Sequence, residues 1–114
     1  MVGKLEIYIK IIFFIYIKKA KKLLIKKGYK IIIEQPTTKS HLYENEKKVF
    51  FTVRPDFMVT KDNITYVAEI KTGISASIEK ITTRRQLLEY SKLFNSSKEI
   101  LVDISKKKIK VIEF

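Results

Sequence analysis

Arg54-Pro55-Asp56-Phe57-Met58-Val59-Thr60-Lys61-Asp62-Asn63-Ile64-Thr65-Tyr66-Val67-Ala68-Glu69-Ile70-Lys71 reads as two apolar strands around a two-residue turn. Asp62-Asn63 is a turn of the kind that closes tight hairpins, because Asn and Asp tolerate the left-handed backbone. Folding the chain about it pairs residues whose numbers sum to 125, so Asp56 is expected opposite Glu69. Lys71 lies two residues further along and therefore shares the face of Glu69. Two carboxylates and an ammonium converge on one face of a hairpin. Such a set can bind a divalent cation and activate a water.

The rest of the chain is read outward from that hairpin. Residues 1–28 are expected to form one helix, apolar first and basic later, stopped by Gly28 after Lys26-Lys27. The Ile, Phe and Tyr content of Leu5–Ile17 leaves a strand open on propensity alone. Lys30–Gln35, bounded by Pro36, reads as a strand, and Thr37–Lys48 as a loop or irregular hairpin around Glu44-Asn45. Val49–Thr60 and Ile64–Thr72 are the central strands, and Gly73–Lys80 is a small-residue connection. Thr83, three residues before Gln86, suggests a capping box that opens a helix over about 83–95, ended by Asn95-Ser96-Ser97. Ile100–Ile104 and Ile109–Phe114 make a closing hairpin. The expected order is α-β-β-β-α-β-β.

A chain of 114 residues suits one domain with a modest core. Without cysteine it has neither disulfides nor thiolate metal ligands. A phosphate-cradling Gly-rich loop, a Ser/His/Asp set and a zinc-type His cluster are also missing. The 24 Lys and Arg residues against 12 Asp and Glu leave a net charge of +12, which favours a polyanionic partner, nucleic acid or an anionic membrane face. The apolar stretch from Leu5 to Ile17 is interrupted by Glu6 and Lys10, too short for a regular spanning helix, and followed by six lysines. Its role is read as core, dimer contact or membrane association through residues 5–27. The protein is expected in the cytoplasm, and that last reading would place it against the inner face of the membrane.

Pro55-Asp56, a gap, and Glu69-x-Lys71 resemble the signature of the PD-(D/E)XK nuclease superfamily. Gln86-x-x-x-Tyr90 resembles the QxxxY motif of its RecB-like branch, and the order of elements fits the family core. The resemblance spans roughly Lys18 to the C-terminus, and residues 29–114 would be the nuclease core. It implies an α/β domain of restriction-endonuclease-like architecture, a central mixed sheet flanked by helices, that hydrolyses DNA phosphodiester bonds with Mg²⁺, Mn²⁺ substituting. Asp56, Glu69 and the carbonyl of Ile70 would be the metal ligands, Lys71 would act on the water, and Gln86 would orient it. Small members include Holliday-junction resolvases of DNA repair and recombination, which act as dimers, so a homodimer is expected.

Arg54 and Tyr90 are expected at the nucleic acid, as are Arg84 and Arg85 near a helix N-terminus, where phosphates are favoured. The chain departs from the family at one point. The acid or histidine that many members carry on the first helix has no counterpart in Ile17–Lys22, and Glu34 is the residue that could replace it. His41, the only histidine, reads as a surface residue. The departure leaves open a second metal position. It also leaves open a non-catalytic nucleic-acid-binding module with the same fold.

Overall fold

The computed structural model describes residues 3–96 and 98–114. Met1 and Val2 of the expected first helix, and Ser97 of the expected helix stop, lie outside the described residues. The fold is α/β: a mixed five-stranded sheet with one helix on each face and a separate two-stranded hairpin.

The central hairpin forms as read. β4 (Phe57–Lys61) and β5 (Ile64–Lys71) pair antiparallel, with Phe57 opposite Ala68 and Lys61 opposite Ile64. Asp62 and Asn63 take φ of 52° and 64°, the left-handed pair that a two-residue hairpin turn requires. The flanking strands are β1 (Lys30–Glu34) beside β4, and β6 (Lys98–Asp103) with β7 (Lys108–Glu113) beyond β5. β5 and β6 run parallel, which demands a crossover, and α2 (Ile81–Leu93) supplies it. Strand β5 is therefore buried on both faces.

Its alternating side chains build two cores. Tyr66, Ala68 and Ile70 pack with Phe57, Val59, Ala20 and Leu24 beneath α1 (Lys4–Lys26). Val67 packs with Leu87, Tyr90, Leu101 and Val53 beneath α2. Glu69 and Lys71, in phase with Val67, therefore face α2.

Leu5–Ile17 is helical throughout, as expected, and its strand propensity loses to continuity with the docked part of α1. Three expectations change. The polar stretch 37–48 enters a regular hairpin, β2 (Thr38–Glu44) with β3 (Lys47–Val53), turning at left-handed Asn45 and Glu46. The strand expected over Val49–Thr60 breaks at Arg54-Pro55-Asp56. Pro55 has no N–H to give a ladder, so regular pairing stops there. The expected capping box is absent too: α2 begins at Ile81, and the Thr83 hydroxyl donates to the Ser75 carbonyl at 2.8 Å. The order becomes α-β-β-β-β-β-α-β-β.

Two parts project. Only the second half of α1 meets the sheet, and every residue from Gly3 to Ile15 is exposed. The β2–β3 hairpin also stands out, with Tyr43 and Phe50 exposed. Both raise the radius of gyration to 15.2 Å, against about 13 Å for a compact chain of this size. Among the described residues, no helix is long and apolar enough to cross a membrane.

Candidate active site

The break at Pro55 is what assembles the site. Freed from the ladder, the Asp56 N–H donates to Glu69 Oε1 at 3.2 Å, while the Ile70 N–H donates to Asp56 Oδ2 at 2.7 Å. Each carboxylate thus fixes the backbone that carries the other. The Asp56 carbonyl accepts from the Gln35 N–H at 2.8 Å, which ties the bend to the end of β1. On Glu69 Oε2 two further groups converge: the Tyr90 hydroxyl donates at 3.2 Å, and Lys71 Nζ stands 3.6 Å away. Gln86, one turn before Tyr90 on α2, lies beside the Tyr90 side chain and lines the same groove.

The electrostatics follow from crowding two acids into a mostly buried corner. Glu69 is 6% exposed, and burial, then the neighbouring Asp56, push its carboxyl up to about 8; Lys71 opposes the shift. Burial likewise raises Asp56, against hydrogen bonds from Ile70 and Glu69 and the charge of Lys71. With both carboxyls raised, the pair holds protons above the ordinary carboxylate range. The Tyr90 hydroxyl is also held up, by burial and by the adjacent Glu69, so it remains a donor. Two hard carboxylate oxygen donors whose mutual repulsion is held in place fit a divalent cation, which would relieve it. Among the described residues no third His, Cys, Asp or Glu completes a cluster with them.

Asp56, Glu69, Lys71 and Gln86 therefore come together as expected. Glu34 does not. A bulge between Ile31 and Ile33 shifts the parity of β1, placing Glu34 opposite Phe57 on the α1 face, where it pairs with Lys21. Tyr90 is 3% exposed with its hydroxyl on Glu69, so it is a positioning residue rather than a nucleic-acid contact. Arg84 is exposed, and its guanidinium donates to the Ile78 carbonyl at 3.2 Å. Arg85 lines a groove with Lys71, Thr83, Gln86 and Glu89, and Arg54 lines its continuation along β3 and Tyr90. His41 lies on the β2–β3 hairpin, edge-on to Tyr43 and Phe50, as a surface residue.

The sequence reading missed Asp103. It is paired in register with Lys71, is buried, and accepts from Ser105 Oγ at 2.5 Å and the Lys106 N–H at 3.0 Å. Parallel pairing across a crossover leaves no spacing signal that would have announced it.

Tyr90→Phe removes one hydrogen bond and little volume. It is expected to reduce any metal-dependent turnover by about tenfold while leaving the chain folded, as circular dichroism and single-turnover rates would register. Unchanged turnover would reduce Tyr90 to a packing residue.

No family model matches the chain, and no curated protein matches it. Among solved structures it is similar to "Crystal structure of SSO0001", with 27% sequence identity and a TM-score of 0.65 over 91% of this chain. This chain spans 50% of the length of that one, so the likeness concerns an α/β unit within a larger protein.

Proposed function

We propose that this protein is a metal-dependent deoxyribonuclease with a restriction-endonuclease-like core. The observation that carries the reading is the reciprocal clasp of Asp56 and Glu69 with Lys71 beside it, where Lys71 lines a groove shared with Arg85 and Gln86, and Arg54 and Tyr90 line its continuation. A buried pair of acids is costly to keep unless it serves a ligand.

Asp56, Glu69 and the carbonyl of Ile70 would hold Mg²⁺, or Mn²⁺ in its place. When bound, the ion would supply Lewis-acid stabilisation of charge on the phosphoryl oxygens. The chain's own groups do the rest. Tyr90 and the Asp56 N–H fix both oxygens of Glu69. Lys71, on the groove side of that carboxylate, would take a proton from the attacking water after giving its own to solvent, or would as the ammonium neutralise charge growing on the phosphate. Gln86 reaches the same corner from α2 and is placed to orient water or strand. Arg85 and Arg54 would hold flanking phosphates.

The test is cleavage of labelled four-way junction, linear duplex and single-stranded DNA with Mg²⁺ or Mn²⁺, using wild type, Glu69→Ala and Lys71→Ala. Metal-dependent cutting lost in both variants supports the nuclease, and preference for the junction supports a resolvase-like enzyme. A second reading, a binding module that keeps the fold, is favoured by one observation: no acid from α1 reaches the Asp56–Glu69 pair. DNA binding equal in all three proteins, with no cutting, would select it.

A further inference from the structure

We propose that the first half of α1 is a membrane-surface anchor that sinks into one leaflet of an anionic bilayer and leaves the catalytic groove free. Leu5, Tyr8 and Phe14 are 73%, 63% and 57% exposed, and Ile7, Ile9, Ile11, Ile12, Phe13 and Ile15 are exposed with them. At 3.6 residues per turn these side chains surround the helix rather than forming a stripe. Glu6 and Lys10, one turn apart, are the only charges between Leu5 and Ile17 and occupy one narrow strip. A second copy of the chain pairs through a seam and would leave the remaining apolar surface in water. A helix that is apolar all round is stable inside a core or a bilayer.

Length and charge choose between ways of meeting the bilayer. Thirteen apolar-rich residues reach about 20 Å as a helix, short of the roughly 30 Å hydrocarbon core. The segment therefore enters one leaflet without crossing, in keeping with the lack of a spanning helix among the described residues. Directly after it stand Lys18, Lys19, Lys21, Lys22, Lys26 and Lys27, with no acid between Glu6 and Glu34. Lys21 pairs with Glu34, and Lys18 lies over the Phe14 ring at 4.5 Å. The other lysines form a collar at headgroup depth, complementary to anionic lipid. The docked half of α1 covers the sheet face opposite Glu69 and Lys71, so anchoring leaves the groove open.

Flotation of the full chain on vesicles of phosphatidylcholine, with and without phosphatidylglycerol, tests this. Floating on the anionic vesicles and not on phosphatidylcholine alone is the expected result. Ile11→Asp with Ile15→Asp is expected to lower the bound-to-free ratio at least about tenfold without changing the melting temperature, since both residues are exposed. Lys19→Glu with Lys22→Glu and Lys26→Glu, which keeps the apolar helix, is expected to lose binding to the same degree and decides the matter should the first variant fail to fold. Wild type that stays at the bottom of the gradient overturns the proposal, whether light scattering finds it monomeric or self-associated. Equal floating on both lipids overturns it too.

Discussion

Replacing Lys71 by Met is expected to lower Mg²⁺-dependent cleavage by about 10²–10⁴-fold while costing no more than about 1–2 kcal/mol of folding stability. The ammonium stands 3.6 Å from Glu69 Oε2 and borders the groove, so it contributes little packing. The pair is largely buried, with the Lys71 and Glu69 side chains 26% and 8% exposed, but the already raised Glu69 carboxyl can take up a proton when the ammonium is gone, which limits the cost. Its value, on the proposed reading, lies in the charge it brings to a reacting phosphate. Mn²⁺ binding by calorimetry at pH 9, above the raised Glu69 value of about 8, should hold within about threefold, which separates loss of chemistry from loss of metal. Lys71→Arg then distinguishes two roles, because a guanidinium keeps the charge and does not release its proton. Partial rescue by Arg would assign Lys71 to charge stabilisation, and a rate as low as that of Met would assign it to proton transfer. Full activity in the Met variant would make Lys71 no more than a companion to Glu69.

What could be read from the chain, and what could not, divides along the range of the interactions. The β4–β5 register was legible because Asp62-Asn63 needs a left-handed backbone and a two-residue turn leaves one pairing. With the register come Asp56, Glu69 and Lys71. Gln86 and Tyr90 were legible as neighbours on α2, because four residues make one turn, but the burial of Tyr90 was not. Its hydroxyl meets Glu69 across 21 residues of sequence, and that contact needs the crossover and the sheet together. Glu34 was misread for a local reason with a non-local cause. One extra residue in β1 reverses which side chains face α1, and no residue type in Ile31-Ile32-Ile33 announces the bulge. The β2–β3 hairpin was legible only as a loop or irregular hairpin around Glu44-Asn45, because its strands cover little core and apolar alternation, the usual signal, is weak there. The exposure of Leu5–Ile15 was hidden too, since an apolar helix looks the same in sequence whether or not a domain covers it.

Glu69→Gln is expected to make the protein more stable at pH 9 by about 1–3 kcal/mol while removing metal-dependent cleavage. Burial and Asp56 raise the Glu69 carboxyl from its ordinary 4.5 to about 8, so the folded chain holds a proton that the unfolded chain has released. Stability from this group is therefore fully present below about 4.5, declines as pH rises towards 8, and stays low above it. Glutamine carries no charge at any pH, its amide oxygen can still accept from the Asp56 N–H, and its volume is nearly the same. The two proteins should accordingly melt together near pH 4 and diverge as pH rises. Mn²⁺ at pH 9 should close the gap from the wild-type side, because a ligand of the native state stabilises it by mass action, and should leave the Gln variant unmoved. The same titration should release protons when metal binds below pH 8, with affinity rising as the Glu69 proton is lost. A buried acid that weakens the fold until a cation arrives is what selection for a ligand site leaves behind. A Gln variant less stable than wild type at every pH would mean that Lys71 and Tyr90 already compensate the charge, and Glu69 would then be part of the scaffold.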